Sequence, residues 1–317
     1  MKPSTMLRQI MAEGKTVVKP GVYDAMGARI LEGCGFQAVG ISGYSVSVTS
    51  LGRPDLGFIS LTDMERICRS VCSSISIPVI ADADTGFGNA INVLYTTEAL
   101  IRAGVAAFHM EDQEFPKRCG HVSGKTVIST QEMAGKIKAA VRIRDEMDKD
   151  VVIIARCDVR GTAGGSLEKL IERCNAYVDA GADMIFPEGI PNEEELRIVA
   201  ERVKAPIHYN RTGGAKRGGI SPLIPLSTLQ DIGICMASQA VGPMLAAAKA
   251  IWEWGTCTMK NDVEFLQEQL EGLAGTPMSN LHTFSGMDKY LEMEKLYLPD
   301  DNEERYAGSL GFSKEQC

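Results

Sequence analysis

The sequence predicts an α/β protein of the (β/α)8 TIM-barrel class. Eight short runs of apolar, β-favouring residues alternate with amphipathic helical patterns, as expected of parallel strands that are covered on both faces. The runner-up, an open doubly wound sheet, lacks its G-x-G-x-x-G turn after the first strand. The chain has 317 residues, 44% of them hydrophobic, and barrels of roughly 250 residues commonly form one domain. A barrel is therefore the most economical architecture.

The strand candidates share short length and nearly continuous apolar character. They are TVVKPG (16–21), QAVGIS (37–42), PVIADAD (78–84), AAFHMED (106–112), VVIIARCD (151–158), DMIFPEG (183–189), PIHYN (206–210) and GICMAS (233–238).

Helical periodicity fills the intervals between these strands. The predicted helices are 23–35, 61–75, 92–104, 130–147, 166–181 and 192–204. Ser60, Thr130 and Ser166 are suitable N-caps. Ala-Gly or Cys-Gly pairs at 34–35, 103–104 and 180–181 are typical helix stops.

Helical patterns also follow the last strand, at 241–259 and 261–275, before a tail at 288–306 that is rich in Leu, Tyr and acid. These three segments together are longer than the single outer helix that would complete the barrel. We therefore divide the chain into a barrel domain, 1–245, and a C-terminal helical segment, 246–317. The pattern leaves two uses open for the segment, which are packing on another subunit and capping of its own.

Composition excludes several classes of function. The net charge is -8 with scattered Lys and Arg, which disfavours nucleic-acid binding because that needs a basic face. No apolar stretch reaches the roughly 18 residues that a membrane span needs. The nine cysteines show no framework spacing and indicate reduced thiols. We expect a cytoplasmic protein, although an organellar form without its transit peptide stays open.

Polar side chains follow almost every predicted strand, where barrels of this class carry their reacting groups. They are Ser42, Asp82, Asp84, His109, Glu111, Arg156, Asp158, Glu188, Asn210 and Ser238. Residues two apart in a strand face the same side, so Asp82 and Asp84 share a face, as do His109 and Glu111. Such carboxylates repel one another unless a proton or cation lies among them. Without a Cys or His pattern for zinc, oxygen ligands indicate Mg²⁺, with Mn²⁺ as the alternative. Ordinary N-caps and salt bridges are the structural alternative.

Such a site suits a small carboxylate. A 2-oxo or 2-hydroxy acid could chelate the cation, and Arg156 could hold a second carboxylate through two parallel hydrogen bonds. A structural salt bridge is the other use of Arg156. Asn210, Ser42 and the backbone at Gly43 are weaker candidates.

The segment 113–129 is long for a connection between a strand and a helix, and such loops often form lids. Its glycines, Gly120 and Gly124, would let it fold over the pocket. Closure would exclude water and bring four reactive residues to the substrate, which are Lys117, Arg118, Cys119 and His121. Cys119 could act as a thiolate near cations or donate a proton to a carbanion. His109 and His121 are equally compatible with structural hydrogen bonding.

The motifs resemble the isocitrate lyase / phosphoenolpyruvate mutase superfamily over about residues 10–245, and within it the 2-methylisocitrate and 2,3-dimethylmalate lyases. The resemblance depends on PGVYDAMGARILEGCGFQAVGISGYS (20–45), LGRPDLG (51–57), DADTGFGN (82–89), HMEDQ (109–113) and KRCGH (117–121). It implies a barrel whose last helix is exchanged between subunits of a homotetramer, built as a dimer of dimers.

The resemblance also implies roles for residues. Asp84 matches the direct Mg²⁺ ligand, and Asp82, Glu111 and Asp55 match residues that hold its waters. Cys119 matches the residue that protonates the product carbanion. The catalytic candidates are Cys119, Lys117, Arg156, Glu111 and His121. The substrate-binding candidates are Ser42, Gly43, Tyr44, Arg118, Gly120, Arg156, Glu188 and Asn210.

The implied reaction is Mg²⁺-dependent cleavage of a 2-hydroxy di- or tricarboxylate to a keto acid and a second carboxylic acid. Cys119 disfavours phosphonate-forming mutases, which lack a cysteine in this loop. An oxaloacetate acetylhydrolase is the main alternative. The segment 211–229 departs from bacterial methylisocitrate lyases and favours a smaller substrate such as dimethylmalate. A non-catalytic binding protein on a barrel scaffold is the remaining class.

Overall fold

The computed structural model describes residues 1–211, 220–260 and 262–299. Its strands are β1 Val17–Val22, β2 Val39–Ile41, β3 Val79–Asp82, β4 Ala107–Glu111, β5 Val152–Cys157, β6 Met184–Pro187, β7 His208–Asn210 and β8 Met236–Gln239. They are parallel and pair in the order β6-β5-β4-β3-β2-β1-β8-β7. A parallel bridge between Ile185 and Ile207 brings β6 beside β7. The predicted barrel is confirmed, and every predicted strand overlaps an observed one.

Helices lie between the strands. The first six are α1 Pro3–Ala12, α2 Ala25–Gly33, α3 Gly43–Leu51, α4 Leu61–Ser74, α5 Ala90–Arg102 and α6 Thr130–Met147. The next are α7 Leu167–Asp179, α8 Glu193–Arg202, α9 Leu226–Ile232, α10 Gly242–Thr258, α11 Asp262–Gly272, α12 Leu281–Ser285 and α13 Met287–Tyr297. Short 3-10 turns occupy Val159–Gly161 and Pro277–Ser279. The sequence patterns do not predict α1, α3, α9 or α12.

The helix ends follow local capping chemistry. The hydroxyl of Ser60 accepts a hydrogen bond from the Asp63 amide, and Ser166 caps α7 in the same way, as predicted. The predicted cap Thr130 is wrong, because Ser129 accepts from the Glu132 amide and Thr130 is the first helical residue. The predicted glycine stops are confirmed.

Apolar side chains form two buried clusters. The larger one includes Leu100, Phe108, Ile137 and Tyr177, from strands and from helices that cover the sheet. The smaller one joins Leu7 and Ile10 of α1 to strand residues such as Val17, Ile80 and Met184. Along each strand, residues of the smaller cluster alternate with residues of the larger one, as Ile80 does with Val79 and Ala81. The strand residues of the smaller cluster therefore face the inside of the barrel. The unpredicted helix α1 thus packs on the apolar part of the barrel interior.

The chain divides into two compact units, Met1–Ala248 and Lys249–Cys317. Within the described part of the second unit, large apolar side chains are exposed, and the exposed fraction is 74% for Trp252 and for Leu296 and reaches 87% for Met259. The oligomeric use of the C-terminal segment stays a prediction. Within the described ranges, no helix is both long and apolar enough to cross a membrane. The eight described cysteines are free thiols.

Candidate active site

A cavity of about 290 Å³ opens where the barrel strands end. Ten predicted site residues line it, which are Ser42, Tyr44, Asp55, Asp82, Cys119, Gly120, His121, Arg156, Glu188 and Asn210. Gly43, Asp84, Glu111 and Lys117 contact these residues from behind the wall. Arg118 is exposed on the loop and is not part of the lining. The structure thus brings the predicted residues together, with Arg118 as the outlying one.

Asp82, at the end of β3, reaches the cavity with both carboxylate oxygens anchored. Its Oδ2 accepts from the amide of Gly43 and its Oδ1 from the amide of Asp84, each at 3.0 Å. Burial disfavours the charge, but His109, Lys117, Arg156 and the amide of Asp84 outweigh burial and lower the pKa of Asp82 to about 2. Asp82 is therefore an ionised carboxylate held in a fixed orientation.

The turn after β2 supplies one of those amides. Ser42 caps α3 by accepting from the Ser45 amide, so the first amides of α3 point toward the site. A side chain on Gly43 would lie 2.6 Å from Asp82 Oδ2. Glycine at 43 thus lets the backbone come close enough to donate to Asp82.

Lys117 lies among the remaining carboxylates. Its Nζ is 2.5 Å from Asp55 Oδ1 and 3.0 Å from Asp84 Oδ1. Burial raises the pKa of Asp84 to about 7 and that of Glu111 well above its ordinary value. Asp84, Glu111 and Asp55 together raise the pKa of Lys117 despite its burial. The cluster therefore holds more buried acid than this one ammonium can neutralise.

Glu111 Oε1 has no hydrogen-bond partner within the described residues, and Asp84 Oδ1 is met there only by its ion pair with Lys117. Buried unsatisfied carboxylate oxygens are costly, and oxygen donors suit a hard cation. No group of three His, Cys, Asp or Glu side chains converges on one point in the described part of the chain. Mg²⁺ keeps several waters and takes only one or two carboxylates directly. The residues thus fit the predicted ion, with Asp82 rather than Asp84 in the cavity wall.

Arg156, at the end of β5, is enclosed by three carboxylates. Its Nε and Nη2 donate to the two oxygens of Asp158, at 2.8 and 3.0 Å. Its Nη1 is 3.2 Å from Glu111 Oε2, and its Nη2 is 3.7 Å from Glu188 Oε2. The pair of parallel hydrogen bonds expected for a substrate carboxylate is therefore made to Asp158. A substrate can reach only the edge of the guanidinium that faces the cavity.

The wall next to Arg156, at the ends of β6, β7 and β8, carries a chain of polar contacts. Ser238 donates to Asn210 Oδ1 at 3.2 Å, and the amide of Asn210 donates to Glu188 Oε2 at 3.3 Å. His121 Nε2 lies 3.5 Å from Glu188 Oε1. Burial disfavours the charge of Glu188, but His121 and Arg156 outweigh burial and lower its pKa. This wall presents an ionised carboxylate that is fixed from two sides.

The predicted lid closes over the cavity. The Cys119 amide donates to the Asp55 carbonyl at 3.1 Å, and Lys125 Nζ donates to the Gly120 carbonyl. The side-chain oxygen of Gln113, Oε1, accepts a hydrogen bond from the Arg118 amide at 2.9 Å. A side chain on Gly120 would lie 2.4 Å from Arg156 Nη2 and 2.6 Å from Glu188 Cγ. The loop can lie this close to the wall only because residue 120 has no side chain.

Cys119 lies in the cavity lining on this loop. Burial raises the pKa of its thiol, and Asp55 and Glu188 raise it further, against a hydrogen bond from the His121 amide. The thiol is therefore protonated at neutral pH. Of the two predicted uses, this favours donation of a proton over attack as a thiolate.

Sequence reasoning missed three residues of this site. Asp158 and Ser238 were recognised as strand ends but were not assigned a role. Lys19 of β1 lines the cavity and is 5% exposed. The signal for Lys19 was a charged residue in the middle of an apolar strand, at a position that faces the barrel interior.

Comparison with known proteins places these features in context. Residues 7–254 match the family model described as phosphoenolpyruvate phosphomutase. The chain is 37% identical to 2,3-dimethylmalate lyase of Eubacterium barkeri, over 93% of this chain and 96% of the relative. It is 42% identical to 2-methylisocitrate lyase of Aeropyrum pernix, over 78% of this chain and 77% of the relative.

Two solved structures are similar throughout. Oxaloacetate acetylhydrolase in complex with 3,3-difluorooxaloacetate has a TM-score of 0.81 at 31% identity and covers 93% of this chain and 98% of its own. Phosphonopyruvate hydrolase in complex with oxalate and Mg²⁺ has a TM-score of 0.80 at 25% identity, covering 94% of this chain and 100% of its own.

Proposed function

Because this chain belongs to the phosphoenolpyruvate mutase / isocitrate lyase superfamily, we propose that it is a Mg²⁺-dependent lyase of a 2-hydroxy dicarboxylate of the 2,3-dimethylmalate type. The predicted family and enzyme class are confirmed by relatives that are lyases of this superfamily. The observation that carries the proposal is the position of the Cys119 thiol, which lines a cavity whose wall also holds Asp82, anchored by two backbone amides. Burial raises the pKa of this thiol, which suits a proton donor. A lyase that forms a carbanion needs both features.

Asp84 would hold the ion directly, as the resemblance implies, with Asp82, Glu111 and Asp55 around it. Mg²⁺ would supply Lewis-acid stabilisation of negative charge that develops on the substrate oxygens. Lys117 and Arg156 add fixed positive charge beside the same carboxylates. Preorganised charge of this kind lowers a barrier because it needs no rearrangement during the reaction.

The chain's own residues account for the proton movements. The substrate hydroxyl gives its proton to a carboxylate of the wall, and the bond between C2 and C3 breaks. The C2 fragment leaves as pyruvate. The electron pair stays on the other fragment as an enediolate of its carboxylate, and the Cys119 thiol protonates its carbon to give propionate. The carboxylate then returns its proton to the thiolate through solvent.

The closed loop supports this order of events. Gly120 and His121 cover the cavity beside Cys119, so the enediolate would meet the thiol before bulk water. His121 and Asn210 hold Glu188 in place in the cavity wall. We therefore assign Lys117, Arg156, Glu111 and His121 supporting roles around the proton donor.

The test is a substrate panel with Mg²⁺. The purified protein is incubated with 2,3-dimethylmalate, 2-methylisocitrate, isocitrate and oxaloacetate, and keto acid and carboxylic acid products are quantified. We expect pyruvate and propionate from dimethylmalate in equal amounts. If none of the four acids is turned over, the lyase proposal is contradicted.

Hydrolysis of oxaloacetate to oxalate and acetate is a second candidate. It is supported by the similarity to oxaloacetate acetylhydrolase over 93% of this chain. The same panel separates the two activities, because only the hydrolase releases oxalate. Residues 212–219 of the segment that favoured a smaller substrate lie outside the described residues.

We also propose that the second unit packs on another copy of the chain in a homotetramer. Its described helices leave Ile251, Trp252, Leu270 and Leu296 between 69% and 74% exposed, and clustered apolar exposure of this kind marks interaction sites. Light scattering on the purified protein tests this. A monomer at micromolar concentration contradicts it.

A further inference from the structure

Lys19 presents a charged group to the cavity from within the barrel. It belongs to β1, where Val17 two residues earlier joins the cluster inside the barrel. Residues two apart in a strand face the same way. Lys19 is paired in register with Ser238 of β8, and both residues line the cavity. The side chain therefore enters the site from the direction of the barrel interior, away from the loop that carries Cys119.

The neighbouring strand leaves room for this side chain. A Cβ atom on Gly40 would lie 2.9 Å from Cδ, Cε and Nζ of Lys19. A side chain at position 40 would therefore displace the end of the lysine from its present position. Glycine here allows the aliphatic stem to cross β2 and places the ammonium at the cavity.

The ammonium of Lys19 has no fixed counter-ion. Among the described residues it makes no hydrogen bond and no ion pair within 4 Å, although Asp82 acts on it at longer range. Arg156, the other cation of the lining, is by contrast neutralised by Asp158, Glu111 and Glu188. The nearby ring of His109 is neutral, because burial lowers its pKa to about 3.

A buried, unpaired ammonium destabilises a fold. A ligand that pairs with such a group would remove this cost. Lys19 lines the cavity, and an anionic oxygen there would supply the missing hydrogen bonds.

We propose that Lys19 binds a second carboxylate of the substrate and thereby makes the enzyme select dicarboxylates over monocarboxylates. This rests on the proposed function, since the Mg²⁺ ion that the first carboxylate and the hydroxyl would chelate is proposed beside Asp82 and Asp84. It deepens that function by naming the group that recognises the far end of the substrate.

The experiment compares two 2-hydroxy acids that differ in one carboxylate. Malate and lactate are titrated by calorimetry into the wild type and into Lys19→Met, with Mg²⁺ present. We expect the wild type to prefer malate. Lys19→Met should weaken malate binding by about 10- to 100-fold, the range for a lost hydrogen bond to a charged group, and should change lactate binding by less than about threefold.

A surface variant and a melting curve complete the design. Lys169→Met removes the same charge from an exposed position on α7 and should leave both affinities unchanged. Lys19→Met should melt at or above the wild-type temperature, because an unpaired buried charge is removed. Lys19→Gln serves as a second neutral variant if Lys19→Met does not fold.

Equal loss of malate and lactate affinity, or no loss of either, overturns the proposal. So does a wild type that binds the two acids equally or binds neither. A lower melting temperature with unchanged selectivity would show a structural role and would also overturn it. If malate preference depends on Lys19 but no acid of the panel is cleaved, the lyase proposal fails and the binding role of Lys19 stands.

Discussion

Arg156 and Asp158 are joined by two parallel hydrogen bonds of 2.8 and 3.0 Å, both within the protein interior. Asp158→Asn replaces one oxygen by an amide and removes the charge. We expect the free energy of unfolding to fall by about 3–5 kcal/mol, as when one partner of a buried ion pair is lost. Turnover should fall too, because Arg156 would be drawn toward Glu111 and Glu188. Urea denaturation and steady-state assays measure the two effects.

An exposed pair provides the matched control for that variant. Arg142 and Glu146 are 3.1 Å apart on the solvent face of α6. Arg142→Gln should change the free energy of unfolding by no more than about 0.5 kcal/mol. Comparable losses in the two variants would contradict the structural importance given to Asp158.

The second prediction concerns the close contact of the loop with the cavity wall. Gly120→Ala would add a methyl group 2.4 Å from Arg156 Nη2, so the closed loop could not form without displacing the guanidinium. We expect turnover to fall by at least about 100-fold, as for a small misplacement of reacting groups. The thermal midpoint should change little, because the loop can open.

Gly135→Ala is the control for the same chemical change. Gly135 lies within α6, and nothing is within 4 Å of its added Cβ. This variant should be more stable by about 0.5–1 kcal/mol, since alanine favours a helix over glycine, and fully active. Full activity of Gly120→Ala would show that the closed loop is not required.

The third prediction concerns the proton donor. Cys119→Ser keeps the shape of the side chain but replaces a thiol by a far weaker acid. Turnover should fall by about 100- to 10,000-fold, the range for loss of a general acid, with little change in substrate affinity. The exposed Cys34 gives the control, because Cys34→Ser should behave as the wild type. An active Cys119→Ser would remove this thiol from the mechanism.

The fourth prediction concerns the metal. Asp82→Asn retains the contacts with Gly43 and Asp84 in part but loses the anionic oxygens that face the cavity. We expect Mn²⁺ affinity, measured by electron paramagnetic resonance, to fall by at least about tenfold. Glu98→Gln on the exposed face of α5 should leave it unchanged. Equal affinity in Asp82→Asn and the wild type would refute a metal site at this carboxylate.

The sequence was sufficient for the barrel because each strand is a short apolar run that ends in a polar residue. The strand ends also located Asp82, Arg156, Glu188 and Asn210, since parallel strands bring their carboxyl ends together. Helix α3 was missed because GYSVSVTSL is rich in serine and β-branched residues and lacks an amphipathic period. Tertiary packing overrides weak propensity in such a segment.

The sequence could not predict which side chains of the site contact one another. Nothing in the spacing indicates that Lys117 would lie between Asp55 and Asp84, which are 29 residues apart in the chain. The preference of Arg156 for Asp158 over a substrate depends on side-chain orientation at the end of β5. Lys19 was overlooked because its strand was interpreted as uniformly apolar, although alternation alone places its side chain inside the barrel.

The most direct test of the central claim is the fate of 2,3-dimethylmalate in deuterated water with Mg²⁺. We predict equal amounts of pyruvate and propionate, with one deuterium on C2 of propionate. Both products should form at least about 100-fold more slowly with Cys119→Ser and should be absent after chelation of the metal. Unchanged dimethylmalate with the wild-type protein and Mg²⁺ would contradict the claim.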